Sequence, residues 1–199
     1  MTRSKKTMAL LVLSAVVFGV CLAQFSFGNK WSAPDTQAPS QSLSLEIEQA
    51  KQLIHDGADL SAVSDDVWRR LLDEKSYYVL WENGTERSFT GNLLNENREG
   101  VFVSKGCRIP VFKSEHKFKS GTGWPSFWDV FNKENVVLKE DRSWGMRRIE
   151  VLSKCGEHLG HVFEDGPEPT GFRYCINSAA LAFVPTGQED PLGPLSLKP

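Results

Sequence analysis

The sequence predicts an α+β fold that is mainly β, with short N-terminal helices before a small antiparallel β-sandwich or barrel. Apolar residues recur at helical spacing only before residue 88. After it, short extended runs alternate with turn residues, as in antiparallel strands. The 199 residues are 40% apolar and 24% charged, which is ordinary for a globular protein with one sizeable core.

The first 28 residues have the layout of a signal peptide. Basic residues precede an almost uninterrupted apolar run from Met8 to Ala23. This run is shorter than the ~20 residues that a spanning helix needs. Cleavage after Ala23 is therefore expected, with an uncleaved membrane anchor as the alternative. In either case the folded part is expected outside the cytoplasm, in the periplasm or the extracellular space.

Residues 29–60 are expected to form a linker with a short helix. The stretch NKWSAPDTQAPSQS is rich in Pro, Ser, Gln and Ala, which is typical of a tether. Apolar spacing over residues 43–54 predicts the short helix. Ser64 can then cap a second helix that extends over residues 67–84 and ends at Gly84.

The β-rich domain is expected over residues 61–186. Its predicted strands are the runs GVFVSKG, IPVFKS, VVLKE, RRIEVLS, HVFED, RYCIN and ALAFVP. The tail over residues 187–199 is expected to be disordered. A net charge of −2 gives no broad basic surface, so nucleic acid is not an expected partner.

Cysteine usage points to one reactive thiol. Cys21 lies in the predicted signal segment, so Cys107, Cys155 and Cys175 remain, and an odd number outside the cytoplasm leaves one thiol unpaired. Cys175 alone would suit a small buried apolar position. With Arg173 two residues before it and two histidines upstream, an activated nucleophile is the sharper hypothesis.

The stretch CGEHLGHVFEDGP contains His158 and His161, three residues apart. A regular strand would place them on opposite faces, but Leu159 and Gly160 allow a turn that brings both imidazoles to one side. Two unrelated polar histidines, or a pair of metal ligands, are the alternatives.

The stretch SGTGWPSFW, residues 120–128, predicts a loop because of its glycines and proline. Its rings, among them Trp124 and Phe127, either fill the core or form the wall of a pocket. Such a wall suits a methylthio group, because sulfur and methyl contacts with aromatic rings are favourable.

Three motifs, GTGWPSF, CGEHLGHVFEDGP and GFRYCINSAALAFVP, resemble those of the B type of peptide methionine sulfoxide reductase. TERSFTG and PVFKSEHKF extend the resemblance, which covers roughly residues 62–186. It implies a fold of two antiparallel β-sheets with short N-terminal helices. It also implies reduction of the R epimer of methionine sulfoxide, free or in proteins, to methionine.

The resemblance assigns Cys175 as the nucleophile, His158 and His161 as residues lining the site, and Arg173 and Asn177 as residues flanking the thiol. A thiolate attacks the sulfoxide sulfur, and an imidazole donates a proton to the leaving oxygen. Methionine then leaves, and the cysteine remains as a sulfenic acid.

The substrate pocket implied by the resemblance contains Trp124 against the methyl group, with Phe127 and Phe163 as further candidates. Asp165 is either a site residue or a structural acid. No bound cofactor is expected, and the electrons come from an external thiol reductant such as a thioredoxin-like protein. A non-catalytic binding module of the same fold is the alternative function.

The sequence departs from many relatives that hold a structural zinc with two Cys-x-x-Cys pairs. Cys107 and Cys155 remain, but the first positions of the two pairs are interpreted as Ser104 and Leu152. Two thiolates are too few for a structural zinc, so none is expected. Since both positions approach one ion in relatives, the resemblance implies a Cys107–Cys155 disulfide in an oxidising compartment.

Thr122 stands where some relatives without zinc place a resolving cysteine. If Cys107 and Cys155 are joined, an external thiol or dithiol must reduce the sulfenic acid of Cys175 directly. If they are not joined, one of them is available to resolve Cys175. A general thiol oxidoreductase would be expected to carry a Cys-x-x-Cys pair, and the chain has none.

Overall fold

The structure is a computed structural model that describes residues 38–193, apart from the side chains of residues 38–40 and 144. The predicted signal peptide or anchor over residues 1–28, most of the predicted linker before residue 38, and residues 194–199 lie outside the described residues. No helix within residues 38–193 combines the length and the apolar character needed to cross a membrane.

Within residues 38–193, three α-helices precede two antiparallel sheets, in agreement with the predicted α+β, mainly β class. The helices are α1 Ala38–Asp56, α2 Asp65–Leu71 and α3 Glu74–Trp81. The strands are β1 Gly100–Ser104, β2 Pro110–Lys113, β3 Lys117–Phe118, β4 Ser126–Phe127, β5 Val136–Asp141, β6 Arg148–Ser153, β7 His158–Phe163, β8 Arg173–Ile176 and β9 Leu181–Pro185. The small sheet has the order β2-β1-β9, and the large sheet has the order β3-β4-β8-β7-β6-β5.

The helices differ from the prediction at two places. α1 begins at Ala38, inside the segment predicted as a tether, and is longer than the helix expected over residues 43–54. The helix expected over residues 67–84 is divided into α2 and α3, because Leu72 is extended with ψ 152°. The Asp73 carboxylate then accepts from the Ser76 backbone N–H at 3.0 Å, and so begins a new helix where an unbroken one was predicted.

The seven predicted strands correspond to β1, β2 and β5–β9, whereas β3 and β4 were missed. Each missed strand has only two residues, and β4 lies within the Gly- and Pro-rich stretch that predicts a loop. β7 also begins at His158 rather than His161. Both histidines therefore lie on the same strand.

The core contains a stack of aromatic rings. The Phe112 and Phe127 rings stack with centroids 4.4 Å apart, and Phe102 meets Phe127 edge-on at 5.0 Å. Phe127 has no exposed surface. The prediction that Phe127 lines a substrate pocket is therefore wrong: Ser126 and Phe127 point to opposite faces of β4, and Phe127 points into the core.

The start of the predicted disordered tail is attached to the fold. Both carboxylate oxygens of Asp190, which is buried, accept from Arg108, at 2.9 Å from Nε and 2.6 Å from Nη2. Such a two-point pair holds a fixed geometry. Residues 187–193 thus differ from the prediction of disorder.

A disulfide joins Cys107, in the β1–β2 connection, to Cys155, in the β6–β7 connection, with 6.7 Å between their Cα atoms. This is the pairing that the resemblance implies. β1 and β2 belong to the small sheet and β6 and β7 to the large one. The bond therefore ties the two sheets together at one end.

Candidate active site

Cys175 lies in β8, a strand inside the large sheet with a neighbour on each side. Ser126 of β4 is directly opposite it on one side, and His161 of β7 is directly opposite on the other. Residues opposite each other on neighbouring strands share a face, so the imidazole and the thiol lie on the same side of the sheet. Cys175 is half-buried and is the one free cysteine within residues 38–193.

A β-bulge brings His158 and His161 to this same face. Val151 of β6 pairs with Gly160, but Leu152 pairs with His158, so Leu159 is an extra residue on β7. His158 and His161, although three residues apart, therefore lie opposite residues of β6 that are two apart, and their side chains share a face. The two imidazole centroids are 5.5 Å apart, which confirms the prediction that both imidazoles meet on one side.

Gly160 allows β7 to approach β8 closely. A Cβ atom at Gly160 would collide with the backbone carbonyl of Cys175. Only glycine permits this separation without moving one of the strands. The glycine between the two histidines thus sets how near His161 stands to the thiol.

His161 is held by a carboxylate on the edge strand β5. Its Nε2 lies 2.9 Å from Oδ2 of Asp141, which also accepts from Nη2 of Arg148 at 2.6 Å. Since a carboxylate only accepts, Nε2 of His161 carries the proton. The side-chain and backbone bonds from Ser143, then those from His161 and Arg148, hold the pKa of Asp141 well below its usual range.

His158 has a separate carboxylate partner. Its Nδ1 donates to Oε1 of Glu150 at 2.7 Å, and both residues are buried. Burial lowers the pKa of His158, although Glu150 opposes the effect. Its Nε2 is buried without a hydrogen-bond partner among the described residues. A buried polar atom of this kind is a candidate for contact with a bound substrate.

Arg173 flanks the thiol, but its charge is largely engaged. Its Nε and Nη2 each donate to the Asp165 carboxylate at 2.8 Å, and its guanidinium lies 4.5 Å from the Phe163 ring centroid. Asp165 is therefore the partner that holds Arg173. Burial raises the pKa of Cys175, while Thr122 and Arg173 act to lower it.

Asn177 positions the chain around the thiol. Its Oδ1 accepts from the Glu86 backbone N–H at 3.0 Å, and its Nδ2 donates to the Leu159 carbonyl at 3.0 Å. Both polar atoms of this buried side chain thus bond backbone groups. Asn177 connects the end of β8 to β7 and to the segment around Glu86.

Glu86 is a buried residue of the site whose role the sequence did not reveal. Its carboxylate accepts from the backbone N–H groups of Ser178 at 2.6 Å and Ala179 at 3.1 Å. Lys75 lies 3.3 Å from the same carboxylate. The two N–H groups begin the 3-10 turn that follows Cys175, so Glu86 fixes how β8 ends.

Trp124 is half-buried beside Glu86. Its Nε1 donates to the Glu86 carbonyl at 3.2 Å, and the Phe89 backbone N–H donates to the Gly123 carbonyl at 2.8 Å. The loop of residues 120–125 is therefore held against residues 86–89. Partial exposure suits the predicted pocket wall, and that role stays a prediction.

Asp141 and Glu150 were also missed as site residues. Glu150 carries a weak signal, since it is an acid between the apolar residues Ile149 and Val151 of a predicted strand. Asp141 carries none, because its partner His161 is 20 residues away and only the β5–β6–β7 register joins them.

The cysteine pair lies in a polar cluster in which Ser153, rather than Leu152, approaches Cys107, with Oγ to Sγ at 3.7 Å. Cys107, Cys155 and the fully buried Glu157 each offer an atom within 4.8 Å of the others. However, the two sulfurs form a disulfide, and a metal is held by thiolates. Glu157 already accepts from Gly106 N–H, Cys107 N–H and the Ser153 hydroxyl. This donor set does not fit a structural zinc while the disulfide is formed, and the absence of zinc stays a prediction.

The sequence model of the SelR domain matches residues 72–185, which contain Cys175, both histidines and the loop of Trp124. The chain belongs to the SelR domain family. The peptide methionine sulfoxide reductase MsrB of Methanosarcina mazei is 53% identical over 128 residues, which are 64% of this chain and 90% of that protein.

Two further relatives support this assignment. The MsrB of Alteromonas mediterranea is 52% identical over 123 residues, 61% of this chain and 87% of that protein. The mouse protein named methionine-R-sulfoxide reductase B3, mitochondrial, is 47% identical over 126 residues, 63% of this chain and 50% of that protein. The resemblance to the B-type methionine sulfoxide reductases is thus confirmed.

Proposed function

We propose that this protein reduces the R epimer of methionine sulfoxide, free or within proteins, to methionine. The observation that carries the proposal is the half-buried free thiol of Cys175, which lies directly opposite His161 in the large sheet. Membership of the SelR domain family and relatives named for methionine-R-sulfoxide reduction support the same activity.

The chemical step begins with the thiolate of Cys175. Its sulfur attacks the sulfoxide sulfur and forms a sulfur–sulfur bond. As the oxygen passes to the cysteine sulfur, this sulfur–sulfur bond and the sulfur–oxygen bond of the substrate both break. The net change converts a thiol and a sulfoxide into a sulfenic acid and a thioether, so methionine is released as the cysteine is oxidised. The oxygen gains negative charge during this transfer and needs a proton donor.

The imidazoles of His158 and His161 are the candidate donors of that proton. Asp141 fixes the orientation of His161, and Glu150 fixes that of His158. Nε2 of His158 is the polar atom left for the substrate oxygen. We expect Trp124 to contact the methyl group, and its indole N–H donates to the Glu86 carbonyl.

An external thiol reductant, such as a thioredoxin-like protein, completes the cycle. Two thiols convert the sulfenic acid back to the thiol, and a disulfide and water are formed. This route is favoured because Cys107 and Cys155 are already joined to each other. No thiol of the described residues is then left to resolve Cys175.

Export is proposed for the site of action. The basic and apolar layout of the first 28 residues supports it. The disulfide also fits an oxidising compartment. The clients would then be oxidised proteins of the envelope or the extracellular space.

Turnover of each methionine sulfoxide epimer by the full chain, with dithiothreitol as reductant, tests the activity. Reduction of the R epimer alone, abolished by Cys175→Ser, is the expected result. Cys21→Ser is a matched control, because it removes a thiol outside the SelR domain match and should leave turnover unchanged. A folded wild-type chain that reduces neither epimer would overturn the proposal and favour a binding module.

The recycling route is tested with the double variant Cys107→Ala/Cys155→Ala and thioredoxin as reductant. Direct reduction predicts turnover within about twofold of the wild type. Loss of thioredoxin-dependent turnover, with normal single-turnover formation of methionine, would instead assign the pair as resolving cysteines.

A further inference from the structure

A chain of hydroxyl groups leads away from the sulfur of Cys175. Oγ1 of Thr122 lies 3.8 Å from Sγ of Cys175, and the Ser120 hydroxyl lies 2.9 Å from Thr122. The Ser120 hydroxyl also lies 2.7 Å from that of Ser126, which donates to the Trp124 carbonyl at 3.2 Å. The hydroxyls of Thr122, Ser120 and Ser126 thus connect the thiol to the backbone carbonyl of Trp124.

The direction of donation along this chain can reverse. When the Ser126 hydroxyl donates to the Trp124 carbonyl, Ser120 can donate to Ser126 and Thr122 to Ser120, so Thr122 can accept from the Cys175 thiol. When the thiol loses its proton, the hydroxyls can rotate, so that Thr122 donates to the sulfur. The only bond given up is the 3.2 Å bond to the carbonyl, which is the longest oxygen–oxygen bond of the chain.

The charged and titratable groups around the thiol do not fully offset the cost of burying its thiolate form. An additional hydrogen-bond donor would therefore stabilise the thiolate. On its own strand, Arg173 acts to lower the pKa of the thiol, but it is paired at two points with Asp165, which acts in the opposite direction. On β7, His161 is bonded to Asp141. The neighbouring His158 has its pKa lowered by burial. The stretch SGTGWPSF, which covers the thiol from the β4 side, contains no titratable side chain. Burial meanwhile disfavours the thiolate.

We propose that Thr122 is a catalytic residue that donates a hydrogen bond to the thiolate of Cys175, and that Ser120 and Ser126 are positioning residues for that donor. The inference rests on the proposed function and deepens it. The uncharged donor compensates for the burial of the sulfur, and it is placed by the loop that carries Trp124.

The apparent pKa of the Cys175 thiol in the full chain tests this proposal. It is measured from the pH dependence of alkylation by iodoacetamide, with the Cys175 peptide quantified by mass spectrometry. Thr122→Val removes the hydroxyl at nearly constant volume and should raise the pKa by about one unit, as expected for a lost bond to a charged group. Thr122→Ser keeps the hydroxyl and should leave the pKa within about 0.3 unit.

The chain beyond Thr122 is tested with Ser120→Ala, which should raise the pKa in the same direction by a smaller amount. Thermal unfolding of each variant checks the fold. An unchanged alkylation profile in both Thr122→Val and Ser120→Ala would overturn the proposal, even if turnover falls. Equal shifts in Thr122→Val and Thr122→Ser would also overturn it, because packing would then explain the effect.

The measurement separates this proposal from the proposed function. Alkylation needs no sulfoxide, so a wild-type chain that alkylates as expected but reduces neither epimer would reject only the reductase activity. A wild-type chain that reduces the R epimer, with no alkylation shift in Thr122→Val and Ser120→Ala, would reject only the role of the hydroxyls.

Discussion

At the scale of single residues, the site is built from side chains that are each held by a second side chain or by the backbone. His161 is held by Asp141, His158 by Glu150, and Arg173 by Asp165. Each partner comes from outside the motif of the residue that it holds, or from several positions away in the chain. The orientation of the reacting groups therefore depends on acids that do not themselves touch the thiol.

Asp141→Asn should slow reduction of the R epimer by about 10²-fold in kcat/KM, because the charged acceptor that orients His161 is lost. Steady-state kinetics measure the loss. Glu140→Gln is the matched control, because this neighbouring acid binds Arg142 and Arg147 at the surface. Equal losses in the two variants would refute the orienting role of Asp141.

Trp124→Ala should lower kcat/KM about tenfold, through loss of the proposed contact with the methyl group and of the bond to Glu86. Trp124→Phe keeps a ring but cannot donate to the Glu86 carbonyl, so it separates the two contributions. Kinetics with free and peptide-bound sulfoxide measure the change. Wild-type kinetics in Trp124→Ala would make this ring a packing residue only.

At the scale of elements, the break between α2 and α3 shows how one side chain overrides a helical pattern. The Asp73 carboxylate accepts from the Ser76 backbone N–H at 3.0 Å and from the Ser76 hydroxyl at 2.8 Å. Nζ of Lys105, the residue after β1, lies 2.6 Å from Oδ2 of Asp73. Although burial alone would raise it, the bonds from Lys105 and Ser76 lower the pKa of Asp73 to about 2. The carboxylate form is thus favoured by the folded state.

Asp73→Ala should reduce the free energy of unfolding by about 1 kcal/mol at pH 7, as is typical for loss of an N-cap. Asp73→Asn keeps a cap and should lose less. Because the folded pKa of Asp73 lies below its ordinary value of 3.8, the carboxylate stabilises the fold above about pH 4. That contribution should fade as the pH falls towards 2, and urea unfolding at several pH values measures it. A difference between wild type and Asp73→Asn that stays constant down to pH 2 would contradict the linkage.

The sequence predicted elements well where a pattern repeats within them. The long strands and the presence of N-terminal helices follow from local periodicity, whereas β3 and β4, with two residues each, have no period to detect. The prediction of Phe127 as a pocket residue holds only if neighbours in this loop share a surface. In β4 they do not, since Ser126 and Phe127 point to opposite faces.

The same limit applies to the site. Cys175, His158 and His161 could be predicted from motifs along the chain, whereas Asp141, Thr122 and Glu86 approach them only through strand pairing and loop folding. In a regular strand, His158 and His161 would point to opposite faces. The bulge at Leu159 brings them to the same face.

At the scale of the whole molecule, the two sheets are joined at one end by the Cys107–Cys155 disulfide, which closes a segment with a sequence separation of 48. A cross-link of this length restricts the unfolded chain strongly. Arg108, next to Cys107, also holds the C-terminal segment through Asp190. Two long-range ties of the fold therefore meet at this end of the molecule.

Cys107→Ala/Cys155→Ala should reduce the free energy of unfolding by about 2–4 kcal/mol. Guanidinium unfolding with and without reductant measures it, and reduced wild type should match the double variant. The control Cys175→Ser should unfold like the wild type under non-reducing conditions. Equal unfolding midpoints for wild type and the double variant would contradict a stabilising disulfide.

The position of β8 has a kinetic consequence. A cysteine on a strand that is hydrogen-bonded on both sides cannot swing outward to meet a protein carrier. Sulfoxide and reductant must therefore react at the same sulfur in turn. Initial rates should follow a double-displacement pattern with parallel reciprocal lines, and an excess of either reactant should inhibit by occupying the form of the enzyme that awaits the other.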